Sequence, residues 1–462
     1  MPRQHSKVSP VVSRRDRARA LAAWAFAVVL VGVSYFSYAS QFNTGSRWQA
    51  SNFDPADYRI LAEHFWHVRT PASTYDVDEE WQAFLRRIPF RGIGLGTLYL
   101  LVGILRTGHA PSTPEDILAT GVALAMLEKI LLAVALLLLF EVVRRSWGTL
   151  SAVVAITATA LPPRFWRLSD DFLAEPVLRV CFLLLLASAI LIGWKKSTAL
   201  AFGMMLLILF AAHLKADWAL AGLLLLPVLL LSPPVSLASV RLKAALSVAA
   251  LLIPLSIVAV NWIGWGLSSP RPGVALHVNL KYGEELVRSF CAQPQQGDRS
   301  SPVCDSERPR RFWWNVYIGR DLTPQDMAAF DASARRDLLT HPGRDVREFW
   351  AGLGLASSVP GTTSRLGAGF RVVPIPEPWH TIVRWMDLAV WILLIVGLAS
   401  SETRLACGVA LVLWIVPAVG NIVSLYELRY HMPMAGVAAT CAFGVLTLRV
   451  RGRLGSSQPQ SA

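Results

Sequence analysis

The chain of 462 residues has few cysteines, few charged side chains and no internal repeat. Its five cysteines are too few for the disulfide framework of a small secreted scaffold. Cys181, Cys407 and Cys441 fall in apolar runs, where cysteine usually serves as a small core residue. Cys291 and Cys304 lie in a long polar segment and could pair in an oxidising compartment, although their positions do not establish a disulfide.

Charged residues make up only 16% of the chain, whereas hydrophobic residues make up 54% and the mean hydropathy is +0.45. This balance excludes an ordinary soluble domain, and the apolar residues form runs near the length of a bilayer. Acidic residues are scarcer than basic ones, 31 against 44, and the net charge is +13. The basic residues gather in short clusters beside the apolar runs, as the positive-inside rule predicts, so we expect membrane lipids and no nucleic acid as partners.

Ten apolar runs predict an all-α polytopic membrane protein with about ten transmembrane helices. The first run follows a basic stretch at 14–19 and has no small-residue cleavage site after it, so we interpret it as an uncleaved anchor with a cytoplasmic start. The predicted spans are Leu21–Tyr38, Ile117–Val142, Leu150–Leu161, Phe172–Ile192, Ala199–Ala212, Ala219–Leu231, Ala244–Trp262, Val383–Leu398, Leu405–Val423 and Met434–Leu448.

One further apolar stretch, Gly92–Leu105, is assigned by parity. Counting it as a crossing would put the basic pair at 144–145 outside the cell. Leaving it out puts the basic residues at 144–145, 195–196, 241–243, 404 and 449–453 inside. We therefore predict that Gly92–Leu105 is a helix that dips into the outer face of the membrane or lies on it.

This orientation divides the chain into five parts. They are a basic cytoplasmic N-terminus at 1–20, a transmembrane module with the candidate catalytic residues at 21–262 and a first external loop at 41–116, an extracytoplasmic loop or small cap domain at 263–380, C-terminal transmembrane helices at 381–448, and a cytoplasmic tail at 449–462. The segment 263–380 is too long for a passive connection and contains a predicted helix from Pro324 to Leu339.

In this orientation many of the ionisable residues next to the spans fall on the outer face. They are Asp54, Asp57, Asp170, Asp171, Glu175, Lys215, Asp217, Glu427, Arg429 and His431. Charge at a bilayer boundary is costly and by default marks a candidate substrate or ion site. The outer face is therefore predicted to be a reaction surface.

Asp54 and Asp57 lie just outside the first span, at the start of a short predicted helix. Such a carboxylate could accept a proton from an attacking hydroxyl. Equally, Asp54 could cap the helix and Asp57 could lie in its first turn, where the helix dipole favours negative charge. The residues alone leave both interpretations open.

His64 and His67 have a spacing that could bring both imidazoles to one face of this helix. A divalent metal is therefore conceivable, although no strong ligand spacing requires a cofactor. The other interpretation is an interfacial helix with an aromatic anchor.

Several short motifs, in this order along the chain, resemble the polyprenyl-phosphate-sugar-dependent glycosyltransferases of the GT-C fold, such as protein mannosyltransferases and aminoarabinose transferases. Asp54, Tyr58 and Ala62 match the Asp, Tyr and Ala of the family's first external loop. The other matching stretches are an external helix at 96–108, an inside turn at 144–148, a Pro, Ser and Glu pattern at 161–175, a helix at 339–349 and an Arg-Tyr-x-x-Pro signature at 429–433.

The resemblance implies a GT-C-like helical bundle in the inner membrane, with both termini cytoplasmic and an extracytoplasmic active site. It implies transfer of one sugar, with inversion, from a polyprenyl-phosphate donor to an envelope glycan, lipid or protein acceptor. The alternative is a polytopic transporter or lipid flippase for envelope glycolipids, which would predict repeated spans and charges near the midplane.

The resemblance also implies roles for individual residues. Asp54 is the expected catalytic base and Asp57 the second choice, while Asp170, Asp171 and Glu175 form a second acidic loop. Lys215, Arg429 and His431 are the cations expected to stabilise the departing lipid phosphate, although Lys215 could instead pair with Asp217 and Arg429 with Glu427. Tyr58 and Tyr430 are expected to position the acceptor or the sugar.

Overall fold

The computed structural model describes residues 14–39, 53–68, 86, 92–161, 174–195, 197–233, 235–267, 278, 324–357, 377–423 and 434–456. The helices up to residue 214 are α1 (Arg14–Ser34, continued by a π-helical turn at Tyr35–Ala39), α2 (Phe53–Phe65), α3 (Gly94–Thr107), α4 (Pro114–Trp147), α5 (Thr149–Ala160), α6 (Ala174–Lys195) and α7 (Ala199–Leu214). The later helices are α8 (Ala219–Leu231), α9 (Val240–Trp265), α10 (Pro324–Thr340), α11 (Pro342–Ser357), α12 (Glu377–Leu398), α13 (Arg404–Val423) and α14 (Met434–Ser456).

Helix ends follow from local sequence chemistry. Thr113 caps α4 by accepting a hydrogen bond from Asp116 N (3.2 Å), and Pro114 takes the first helical position. Gly108 and Gly148 end α3 and α4 with φ of 80° and 100°, a region that glycine enters without a steric penalty. Gly108 and Thr113 leave only a short connection between α3 and α4, and the two helices pack on each other.

In all ten predicted spans the described residues are helical, except for Leu161 at the end of the third span. Among the described residues, four stretches are long and apolar enough to cross a membrane: Arg17–Ser37, Glu115–Trp147, Pro176–Lys195 and Val240–Trp265. The remaining predicted spans are shorter apolar helices or contain them. The chain is therefore an integral membrane protein, and the total of ten crossings stays a prediction.

The core of the bundle is centred on α13. This helix packs against α6, α8, α11, α12 and α14, and nearly all its residues from Leu405 to Ala418 are buried. Trp414 of α13 lies against Trp391 of α12, with ring centroids 4.6 Å apart. Around α13, α4 packs on both α5 and α6, and α7, α8 and α9 pack on one another.

Basic residues gather at one end of the bundle, which we call the basic end. There Arg404 Nη1 donates to Leu231 O (2.7 Å), and Trp24 Nε1 donates to Glu141 Oε2 (2.9 Å). The basic end is defined by Arg144, Arg145, Lys195, Arg241, Lys243 and Arg404. The sequence predicts this grouping, and the compartment that this end faces stays a prediction.

Candidate active site

The opposite end of the bundle, which we call the α2 end, contains the described elements that belong to the predicted reaction surface. It is defined by α2, the start of α3, the turn at 213–217 and the end of α9 at Gly264–Trp265. These elements are distant in sequence. Their contacts therefore determine which candidate residues can act together.

Gly96 joins α3 to α2. A Cβ at Gly96 would overlap the backbone oxygen of Tyr58 and would lie 2.6 Å from the Cβ of Ala62. Only glycine allows two helices to approach this closely. Tyr58 and Ala62, two of the three residues that carry the family resemblance, are thus buried in the contact between α2 and α3.

Gly92 and Gly94 join the start of α3 to the turn that carries Lys215. A Cβ at Gly94 would lie 2.9 Å from the carbonyl carbon of His213, and one at Gly92 would overlap the oxygen of the same carbonyl. Lys215 follows α7 with an extended backbone, and its side chain is half-buried. The structure therefore brings the turn that carries Lys215 against the same helix that contacts α2.

His64 connects α2 to the end of α9. Its Nε2 lies 3.1 Å from Gly264 O, and its ring lies 5.2 Å from the ring of Trp265. A carbonyl oxygen can only accept, so Nε2 carries the proton in this contact. Burial lowers the pKa of His64, and the nearby positive charges of Arg86 and His67 lower it further, whereas the hydrogen bond to Gly264 opposes the change. The imidazole is therefore neutral near pH 7.

A buried polar cluster that sequence reasoning missed lies beneath α2. Arg59 and Glu63, one turn apart on α2, are both buried, and Arg59 Nε lies 3.8 Å from Glu63 Oε1. Tyr99 of α3 is fully buried beside them, and its hydroxyl donates to Ile117 O of α4 (3.2 Å). The i, i+4 spacing of Arg59 and Glu63 was the available signal. This cluster fixes α2 and α3 relative to α4.

Three further buried charged residues were also missed: Glu128 and Lys129 of α4, and Arg179 of α6. Sixteen residues separate Glu128 from Arg144 at the basic end, and sixteen separate Arg179 from Lys195. At ~1.5 Å per residue, each lies about 24 Å from the basic end, nearer the far boundary of a ~30 Å hydrocarbon core than its midplane. For Glu128 and Lys129, the signal in the sequence was a pair of charged residues inside an otherwise apolar run.

Other predicted site residues are described only in part. Asp54 and Asp57 lie in the first two turns of α2, and Glu175 is the second residue of α6, but the positions of these three side chains lie outside the description. Several predicted residues lie wholly outside the described residues: Asp170, Asp171, Glu427, Arg429, Tyr430, His431, Cys291 and Cys304. Lys215 and Asp217 are both described and half-buried. Their roles stay predictions.

The described part of the chain contains no group of three His, Cys, Asp or Glu side chains that could hold a metal ion. His67 follows the end of α2 with a φ of 53°, so it leaves the helical path, while His64 is engaged with Gly264. Within that part of the chain, the two histidines form no metal site together.

A scan against protein-family models finds no match, and a sequence search of curated proteins also finds none. Among solved structures, the chain is similar to the archaeal oligosaccharyltransferase AglB from Archaeoglobus fulgidus in complex with an inhibitory peptide and a dolichol-phosphate. That match has a TM-score of 0.47 and 12% identity, and it covers 97% of this chain and 53% of that one.

Two other structures of the Archaeoglobus fulgidus oligosaccharyltransferase are also similar. The apo form has a TM-score of 0.45 and 13% identity over 94% of this chain and 51% of that one. The form tethered to an acceptor peptide with the NVT sequon has a TM-score of 0.44 and 10% identity over 95% of this chain and 51% of that one. This chain thus spans about half the length of these proteins, which have the GT-C fold that the sequence motifs resemble. At these TM-scores, the case for a function depends on this chain's own residues.

Proposed function

We propose that the protein is a membrane glycosyltransferase that moves one sugar, with inversion, from a polyprenyl-phosphate donor to an acceptor on the extracytoplasmic side. The acceptor is an envelope glycan, a lipid or a protein. The α2 end is the active face in this proposal, and the basic end faces the cytoplasm.

The observation that supports this proposal most directly is the double contact of α3. One side of its first turns meets α2 at Tyr58 and Ala62, and its start meets the 213–217 turn at His213 and Leu214. Asp54 lies one turn before Tyr58, and Lys215 directly follows Leu214. A candidate base and a candidate phosphate ligand therefore come from two elements that share one neighbour.

The proposed chemistry needs one base and at least one cation. The acceptor oxygen attacks the anomeric carbon on the face opposite the phosphate, and the bond from that carbon to the phosphate oxygen breaks. Asp54 takes the proton of the acceptor hydroxyl, and the departing electron pair stays on the lipid phosphate. Lys215, together with Arg429 and His431, stabilises that negative charge. Asp57 is the second candidate for the base.

The test compares envelope glycans and glycolipids, by mass spectrometry, in cells with and without this protein. The unsubstituted chain should restore a missing sugar, whereas Asp54→Asn should reduce transfer by at least ~100-fold, the usual scale of general-base catalysis. Asp331→Asn, on the surface of α10, is the matched control and should restore the product fully.

Two outcomes would contradict this assignment. Retained transfer by Asp54→Asn would remove Asp54 from the base role, and Asp57→Asn would then be the decisive variant. An envelope with no missing sugar in cells that lack the protein would contradict the glycosyltransferase function itself.

A lipid flippase is the second candidate function, and buried charge in a long apolar helix favours it. Glu128 and Lys129 are buried inside α4, as a transporter with an intramembrane polar site would require. However, both residues lie nearer the membrane boundary at the α2 end than the bilayer midplane. This position fits a site at the boundary better than a transport site at the midplane. Reconstituted vesicles separate the two functions: glycolipid translocation without sugar transfer would support the flippase.

A further inference from the structure

Charged side chains hold α10 and α11 together on their less exposed side. Arg344 Nη2 lies 2.6 Å from Asp337 Oδ2 and 3.1 Å from Asp345 Oδ1, and Arg344 Nη1 donates to Asp337 Oδ1 (3.2 Å). These three side chains are only 15–20% exposed. The hydrogen bonds that Arg344 donates to the Asp337 carboxylate raise the pKa of Arg344, so the guanidinium stays charged. These three charged side chains are therefore largely withdrawn from the surface, whereas Arg335, Arg336 and Arg347 are exposed.

Large apolar side chains occupy the exposed side of the same pair. Val346 and Trp350 of α11 are 55% and 64% exposed, and Leu339 of α10 is 81% exposed. Val346 and Trp350 are four residues apart, so they lie on one side of the helix. Phe349 packs edge-on against Trp350, with ring centroids 5.9 Å apart. The side of α11 that exposes Val346 and Trp350, away from the Arg344–Asp345 pair, has the apolar character expected against lipid and is unfavourable against water.

The position of α11 connects this apolar side to the surface of the membrane bundle. α11 packs along α13, the central helix, and also touches α14. The outer surface of the same bundle is apolar where α12 exposes Trp385, Met386 and Ile392. Arg347 is exposed on α11 next to Val346, and an Arg and a Trp side by side are typical of residues at the bilayer interface.

We propose that α11 is seated in the bilayer surface, with Val346 and Trp350 against lipid acyl chains and Arg347 at the level of the lipid phosphates. The partner of this surface is bilayer lipid. The segment predicted as an external loop or cap then includes a membrane-seated helix that is continuous with the transmembrane bundle.

Photo-crosslinking in nanodiscs of phosphatidylethanolamine and phosphatidylglycerol tests this proposal with the full chain. Val346→benzoylphenylalanine and Trp350→benzoylphenylalanine, made separately, should each give lipid adducts detectable by mass spectrometry after irradiation. Glu115→benzoylphenylalanine, at an exposed position in the first turn of α4, is the matched control and should give several-fold fewer adducts.

Lipid adducts at position 346 or 350 no more frequent than at position 115 would overturn the proposal. Crosslinks between two copies of the chain, in place of lipid adducts, would also overturn it and would identify a dimer contact instead. Two separate sites keep the test decisive if one variant fails to elute as a single folded species. The nanodiscs contain no sugar donor, so the result is independent of the proposed glycosyltransferase function.

Discussion

A single imidazole, that of His64, connects α2 to the end of α9. Its pKa lies below the ordinary value because burial against Trp265 disfavours the charged form. In the unfolded chain the same group titrates near ~6.5. The unfolded state therefore binds the proton more readily, and folding stability must fall as the pH falls below about 6.5.

We expect His64→Gln to remove this pH dependence, because its amide nitrogen can still donate to Gly264 O but carries no titratable proton. The melting temperature of the unsubstituted protein in detergent should fall between pH 7 and pH 5.5 by more than that of the variant. Above pH 7.5 the two curves should run parallel. If the melting temperatures of the two proteins changed in parallel over the whole pH range, His64 would not take up a proton on unfolding.

Candidate site residues could be predicted from the sequence where a motif marks them. The contacts between pairs of residues could not. Asp54, Tyr58 and Lys215 were identified from motifs and sidedness, but nothing in the sequence indicates that Tyr58 is buried against Gly96. Arg59 was missed although Glu63 follows it at i, i+4, because that spacing does not show that both side chains are buried. Arg179 was missed because it looked like an isolated charge. Burial depends on neighbours that are distant in the chain.

At the scale of elements, α3 is held by glycine contacts at its start. Gly92, Gly94 and Gly96 allow this helix to approach two different parts of the chain within less than two helical turns. The sequence predicts the helix, within two residues at each end, because its apolar residues are continuous. The identity of its neighbours was not predictable, because helical periodicity describes only the element itself.

Substitution Gly96→Ala should separate α3 from α2, because the new methyl group would overlap the Tyr58 carbonyl and Ala62. Overpacking of this kind usually costs ~1–3 kcal/mol, so the melting temperature and sugar transfer should both fall. Differential scanning fluorimetry in detergent measures the first effect, and product formation measures the second.

Gly203→Ala is the matched control, because Gly203 lies inside α7 with no atom within 4 Å of an added Cβ. Alanine there should stabilise the helix by up to ~1 kcal/mol. Equal melting temperatures for the two variants would contradict a tight contact between α2 and α3.

At the scale of the whole molecule, the two ends of the bundle are built from different residues. Basic flanks define one end, and the 213–217 turn, α2 and the end of α9 define the other. This grouping was predictable, because alternate crossings place alternate loops on one side. The packing order around α13 was not, because apolar helices of similar composition can exchange neighbours without changing the hydropathy pattern.

Cysteine labelling should place the two ends in different compartments. Leu237→Cys, at an 87% exposed position between α8 and α9, should react with an impermeant maleimide only after the cytoplasmic membrane is opened. His67→Cys, at the exposed end of α2, should react in intact spheroplasts. Mass spectrometry of the modified peptides distinguishes these sites from the native cysteines. Labelling of both sites from one compartment would contradict the orientation.

The length of α4 has a consequence for how far the α2 end lies from the hydrocarbon core. Its 34 residues extend about 51 Å, whereas the hydrocarbon core is ~30 Å thick. Measured from Arg144 at the basic end, the 30 residues back to Pro114 span about 45 Å, so about 15 Å of α4 would extend past the hydrocarbon core at the α2 end. There α3 is joined to α4 by the hydrogen bond from Tyr99 to Ile117 O and by the ion pair of Arg106 with Asp116 (3.0 Å). A continuous helix of this kind would hold α3 at a constant height above the lipid headgroups, which is the height at which the proposed reaction would take place.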